Sequence, residues 1–173
     1  MRKLLLVIDM QNDFIDGALG TPEAMAVVDH VVEEIRKYPS RDIIATRDTH
    51  GENYLNTQEG KNLPVPHCIK GTQGWELHPR IAEALEGAVM IDKPTFGSME
   101  LAHRLARMAQ GDELDITLVG LCTDICVVSN ALLIKAALPE TPVRIIKSCC
   151  AGVTQESHQA ALETMKMCQV KIE

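Results

Sequence analysis

Lys3-Leu4-Leu5-Leu6-Val7-Ile8-Asp9 is an unbroken apolar run of strand length that ends in an acid. A strand with one face in water alternates polar and apolar residues, so an unbroken run requires cover on both faces. Parallel sheets flanked by helices supply that cover. The run therefore argues against all-α folds and against open antiparallel sheets.

The rest of the chain repeats the pattern. Thr21-Pro22 offers a cap followed by Pro at the first helical position, and Ala24, Val27, Val28, Val31, Val32 and Ile35 recur at helical spacing until Pro39 ends the segment. The alternation then predicts a strand over 42–46, a long polar loop to about Gly74, a short helix over 79–85 and a strand over 88–91. It continues with a helix from the Ser98 cap to Gly111, a strand over 116–119, and a helix opened by Thr123 or Asp124 and reaching Leu138. A strand over 143–146, a helix over 155–167 and a last strand near Val170 complete the series. Six short apolar strands separated by helices or long loops predict one α/β domain over residues 1–173, three layers deep (α/β/α), with a mainly parallel, Rossmann-like six-stranded sheet. The segment 125–138 is apolar almost all round, which predicts burial in the core or against a second subunit, and a homo-oligomer is expected.

Charge and composition narrow the function. The 17 Lys and Arg against 24 Asp and Glu give a net charge of −7, and no basic run exceeds two residues, so a nucleic-acid partner is not expected. Leu4 to Ile8 is too short for a signal-peptide core or a membrane span, so the protein is expected in the cytoplasm, away from membranes, with its six cysteines reduced. Only five residues are aromatic, which makes each one near a site informative.

In open α/β sheets ligands sit beyond the carboxyl ends of the strands. The residues just past those ends are Asp9, Asp48, Lys93 and the segment Gly120-Leu121-Cys122-Thr123-Asp124-Ile125-Cys126. A thiol in the first turn of a helix faces unpaired N–H groups and the positive end of the dipole, which favour its thiolate, and a nearby Lys93 would add to that. Thiolate attack on a carbonyl also needs a proton carrier and donors for the oxyanion, which Asp9 and the N–H groups of the 122–126 turn could supply. Each residue alone has a plainer reading: Asp9 as a strand-end cap, Lys93 as a solvated surface charge, a cysteine as core packing. Cys149, Cys150 and Cys168 receive that last reading.

A second group comprises Asp48-Thr49-His50 and His67, with Glu52 and Glu59 on the loop between them. Carboxylate and imidazole donors suit zinc, with iron or manganese as alternatives, and unrelated surface histidines would produce the same spacing. His30, His103 and His158 are assigned no role, and His78 before Pro79 reads as a capping or surface residue.

The sequence resembles the isochorismatase-like cysteine hydrolases, and within them the nicotinamidase branch, along its whole length. The resemblance rests on Leu6 to Phe14, Thr46-Arg47-Asp48-Thr49-His50, Pro66 to Gly74, Ile91-Asp92-Lys93-Pro94 and Gly120 to Val127. It implies the isochorismatase-like fold and a catalytic triad: Cys126 as nucleophile, Asp9 as proton shuttle and Lys93 holding the two together. It also implies a cis peptide between Leu121 and Cys122, with the N–H groups of Cys122 and Cys126 facing the oxyanion. A metal held by Asp48, His50 and His67, with Glu59 as fourth ligand, would bind the pyridine nitrogen of the substrate. Phe14 would contact the ring on one side, and Phe96 or Tyr54 on the other, because Pro64 stands where the branch usually has a ring-stacking Trp.

The expected function is hydrolysis of a small carboxamide, foremost nicotinamide to nicotinate and ammonia, through a thioester on Cys126. Two alternatives stand beside it. One is a metal-bearing cysteine hydrolase of another small amide or ureide. The other is a non-hydrolytic thiol redox or metal-binding protein using Cys122 and Cys126, which the i, i+4 thiol spacing supports.

Overall fold

The structure is a computed structural model that describes residues 1–173. Its strands are β1 (Arg2–Ile8), β2 (Ile43–Asp48), β3 (Val89–Lys93), β4 (Leu114–Leu121), β5 (Val143–Ala151) and β6 (Lys171–Ile172). They form one sheet in the order β3-β2-β1-β4-β5-β6, and every pair is parallel. The sheet is thus wholly rather than mainly parallel, and its order reverses between β1 and β4, where a doubly wound sheet opens a crevice.

The first strand shows why an unbroken apolar run was needed. Leu5 and Val7 point into a core under α2 (Pro22–Ile35) and α4 (Pro79–Ala84). Leu4, Leu6 and Ile8 point the other way, into a core under α5 (Met99–Met108), α6 (Val128–Ala137) and α7 (Gln155–Met167). All five are fully buried, so from Leu4 onward β1 carries no polar face. The helices start where capping chemistry allows: the hydroxyls of Thr21, Ser98 and Thr154 accept N–H groups of the first turns of α2, α5 and α7.

Several elements depart from the sequence expectation. A short α1 (Asn12–Ile15) follows β1, and the presumed polar loop after β2 contains α3 (Gln58–Asn62). Both are too short to carry an amphipathic period. The central strand β4 and its neighbour β5 extend well past the expected 116–119 and 143–146, because their later residues are polar or small yet remain paired. Their register shifts between Leu118 and Gly120. Gly120 has φ 119°, and a Cβ there would collide with the carbonyl oxygen of Ile8, so glycine is what lets β4 stay against β1 at the reversal point. In α6, Asn130, Ala131 and Ile134 are buried, whereas Leu132 and Leu133 are half-buried. No helix is long and apolar enough to cross a membrane.

Candidate active site

Strand register brings the first constellation together. Ile8 pairs with Thr46 and Asp48 with Lys93, so Asp9, Asp48 and Lys93 leave three adjacent strands at one level. Asp9 turns the chain in a left-handed conformation, φ 48°, and accepts a 2.6 Å hydrogen bond from the Thr46 hydroxyl at Oδ1. Its Oδ2 lies 2.6 Å from Lys93 Nζ. The same ammonium reaches Asp48 Oδ1 at 3.2 Å, the Thr95 carbonyl at 3.0 Å and Cys126 Sγ at 3.4 Å. Asp9 and Lys93 are both 0 % exposed, which overturns the solvated-charge reading of Lys93. A buried ammonium is tolerable only with such partners.

Cys126 sits in a π-helical turn, Thr123–Val127, that follows β4 and leads into α6, and the Leu121–Cys122 peptide is cis. Burial pushes the Cys126 thiol well up, the Asp9 carboxylate adds to that, and Lys93 only partly opposes it. The expected lowering of this thiol therefore does not occur. The physical reason is burial first, and Lys93, which favours the thiolate, is shared with two carboxylates that lie nearer to it than the sulfur does. Burial also pushes the Asp9 carboxyl up, against the pull of Lys93. The hydrogen bond that reaches the Cys126 sulfur comes from Lys93 Nζ, the same ammonium that meets Asp9.

The second constellation converges as well. Donor atoms of Asp48, His50, Glu59 and His67 all lie within 4.8 Å of one another. His50 Nε2 is 2.9 Å from Asp48 Oδ2 and 3.6 Å from Glu59 Oε1, while His67 Nε2 is 3.6 Å and 3.7 Å from the same two atoms. Ligand bonds of about 2.0–2.2 Å place neighbouring donors roughly 3–4 Å apart, so the group fits one divalent ion. His67 Nδ1 lies 2.8 Å from the Val65 carbonyl, to which it can only donate, leaving Nε2 a lone pair for the cluster. Burial alone would raise the Asp48 carboxyl, but the two imidazoles and Lys93 hold it far below the usual carboxylate range. Of the two loop acids, Glu59 joins the group and Glu52 is exposed. Glu59 arrives on α3, whose start is capped by the Thr57 hydroxyl.

A cavity of about 560 Å³ lies over these groups, within the range of small-molecule sites. Its lining includes Asp48, Glu59, His67, Cys122 and Cys126, together with Phe14, Phe96, Leu63 and Ile125. Phe14 and Phe96 are thus placed to meet a ligand, and Tyr54 is not. Tyr54 is buried behind the imidazoles, its ring edge-on to His50 and His67 with centroids 4.8 and 5.0 Å away, and its hydroxyl donates to the Leu63 carbonyl at 2.9 Å. Of the short turn that carries it, Tyr54–Asn56, only Tyr54 is buried.

Three supporting residues escaped the sequence reading. Gln11 is fully buried; its amide donates to the Asp48 and Trp75 carbonyls at 2.8 Å and its oxygen accepts the Asp48 N–H at 2.7 Å. Asp13 accepts the Cys68 N–H at 2.8 Å and so holds the segment beside His67. Asn130 donates to the Cys126 and Phe96 carbonyls and accepts the Ser98 N–H, tying the nucleophile turn to the loop after Lys93. Only a polar residue inside an apolar helix, Asn130, left a trace in sequence.

Comparison with known proteins adds an independent line. The model of the isochorismatase domain family matches residues 3–172. The nicotinamidase/pyrazinamidase of Mycobacterium tuberculosis is 28 % identical over 189 residues, covering 98 % of this chain and 97 % of the relative. The nicotinamidase of Escherichia coli is 28 % identical, with 95 % of this chain and 90 % of the relative covered. The pyrazinamidase of Pyrococcus horikoshii, solved in complex with zinc, superposes with a TM-score of 0.81 at 31 % identity, covering 100 % of this chain and 99 % of that one.

Proposed function

The chain belongs to the isochorismatase family, on the nicotinamidase side of it, and is an amidohydrolase; from that premise we propose that it hydrolyses nicotinamide to nicotinate and ammonia through a thioester on Cys126. The observation that carries the reading is the buried contact of Lys93 Nζ with Asp9 and Cys126, next to a cavity lined by Cys126 and by Asp48, Glu59 and His67 of the four-donor group.

In this reading Asp9 takes the thiol proton as sulfur attacks the amide carbonyl carbon. The N–H groups of Cys122 and Cys126 receive the oxyanion. Asp9 then returns the proton to the amide nitrogen, the C–N bond breaks and ammonia leaves. Water enters, gives a proton to Asp9 and attacks the thioester; the C–S bond breaks, and Asp9 reprotonates the sulfur as the carboxylic acid departs. Lys93 keeps Asp9 and the sulfur in register throughout, and its positive charge holds net charge low as the proton moves.

Asp48, His50 and His67, with Glu59, are the residues that would hold a divalent ion, foremost zinc, with iron or manganese suited to the same donors. When bound, such an ion supplies a Lewis-acidic site for a ring nitrogen and so orients the substrate. Phe14 and Phe96 border the space the ring would fill. Pro64 in place of a stacking Trp favours a second reading, in which another small heteroaromatic amide is preferred.

The test is ammonia release from nicotinamide by zinc-loaded protein, with Cys126→Ala as control. Turnover that falls at least about 10⁴-fold in the variant, with fold and zinc content unchanged, is the expected result. Turnover retained in Cys126→Ala overturns the mechanism. Release from other heteroaromatic amides but not from nicotinamide selects the second reading.

A further inference from the structure

Two hydrogen-bonded ties join the turn between Cys122 and Cys126 to the loop and helix that follow β5, and neither opens into the substrate cavity. His158 Nδ1 lies 2.8 Å from Thr123 Oγ1. Thr123 is fully buried and stands one residue beyond the cis peptide, between the two N–H groups assigned to the oxyanion. Beside it, both carboxylate oxygens of Asp124 accept the Val153 N–H, at 3.1 and 3.2 Å.

The partner side is built to hold still. Gly152 packs so closely on His158 that a Cβ would sit 2.7 Å from the His158 Cβ. Thr154 and Ser157 cap each other's N–H groups at the start of α7, which fixes the first turn from which His158 projects. Burial lowers the proton affinity of the imidazole, against the pull of Asp124.

Resting on the amide-hydrolase reading, we infer that His158 is a positioning residue for the oxyanion turn, with Asp124 as its second anchor: α7 and the loop before it brace Thr123 and Asp124 so that the Cys122 and Cys126 N–H groups stay aimed at the developing oxyanion. Donors aimed at developing charge must be rigid to be useful, and complete loss of one costs about 10²–10³-fold in turnover. Loosening a brace keeps the donors but spreads their directions, so a smaller loss is expected. The loss is confined to reactions that generate an oxyanion.

That selectivity supplies the test. In zinc-loaded protein, His158→Ala is expected to lower kcat for nicotinamide hydrolysis about 10- to 100-fold with KM within twofold. Alkylation of Cys126 by iodoacetamide, followed by mass spectrometry, forms no oxyanion and should stay within twofold of the parent rate. His158→Gln, whose amide can still bond the Thr123 hydroxyl, should recover most of the lost turnover. An unchanged kcat in His158→Ala overturns the inference, and so does a parallel fall in hydrolysis and alkylation, which would mark general loosening of the nucleophile. If His158→Ala does not fold, Asp124→Ala carries the same comparison. Absence of ammonia release by the parent protein counts against the amide reading alone, because nicotinaldehyde titration still tests the brace. Its adduct with Cys126 places an oxyanion in the same turn, so at least about tenfold weaker binding is expected in His158→Ala, and equal affinity overturns the brace.

Discussion

Two clusters share the carboxyl end of the sheet and are held by different means. Asp9 and Lys93 stand at strand ends, so their spacing is inherited from the pairing of β1 with β2 and of β2 with β3. His50, Glu59 and His67 come from the segment between β2 and α4, where a single backbone bridge pairs His50 with Ile69 and individual side chains hold the rest: Gln11 at Trp75, Asp13 at Cys68, Tyr54 at Leu63. Strand-borne groups are fixed by many cooperative bonds, loop-borne groups by a few separable ones. Damage to the proton-transfer machinery and damage to the donor group should therefore be separable everywhere except at Lys93 and Asp48, where the clusters touch.

The change that should break both at once is Lys93→Met. It leaves Asp9 and Asp48 facing each other in the core without a cation, and removing one partner of a buried pair costs about 3–5 kcal/mol. Turnover should fall at least about 10³-fold. Denaturant midpoints and ammonia release check both effects, and zinc affinity retained at the parent value would show the donor group to be independent of the triad. His67→Ala is the one-sided counterpart. Zinc affinity should fall about 10- to 100-fold or more on equilibrium dialysis, while iodoacetamide should still alkylate Cys126 within twofold of the parent rate. A large change in alkylation would mean that the loop-borne cluster sets the reactivity of the strand-borne one.

The same division decides what could be read from the sequence. Apolar runs, caps and prolines revealed the sheet, its helices and the strand-end positions of Asp9, Asp48 and Lys93, because burial on both faces and capping leave marks in adjacent residues. The length of β4 and β5 left no such mark, since Gly120 pairs with Cys150 beyond a shift in register that no residue pattern announces. Nor did α3, five residues long, which delivers Glu59. The proton affinity of Cys126 runs against what its turn suggests, because the packing that buries the sulfur comes from residues distant in sequence. Tyr54 was misplaced for a related reason: an aromatic on a loop gives no sign of whether it faces a cavity or backs its ligands.

Gln11 sharpens the comparison more finely. It comes from the end of β1 but serves the donor group, through three hydrogen bonds to Asp48 and Trp75. Gln11→Leu would strand the buried Asp48 N–H and two carbonyls, and each such group costs about 1–3 kcal/mol when left unpaired. Zinc affinity should fall about tenfold with it. Stability by denaturant titration and zinc binding should move together; stability lost with zinc affinity unchanged would assign Gln11 to the fold alone.

The smallest expected effect belongs to Tyr54→Phe. The substitution keeps the ring edges against His50 and His67 and removes only the hydroxyl that donates to the Leu63 carbonyl. That carbonyl ends α3, so its tie closes the short segment bearing Glu59. One hydrogen bond of this kind is worth about 1 kcal/mol, and an orphaned carbonyl at a half-exposed position can turn to water. Stability should drop by about that amount, and zinc affinity by no more than about tenfold. KM should change with it more than kcat, because Leu63 borders the cavity while Asp9, Lys93 and Cys126 are held by contacts of their own. A fall in kcat with KM unchanged would show instead that the loop reaches the proton-transfer groups, and would erase the distinction between the two clusters.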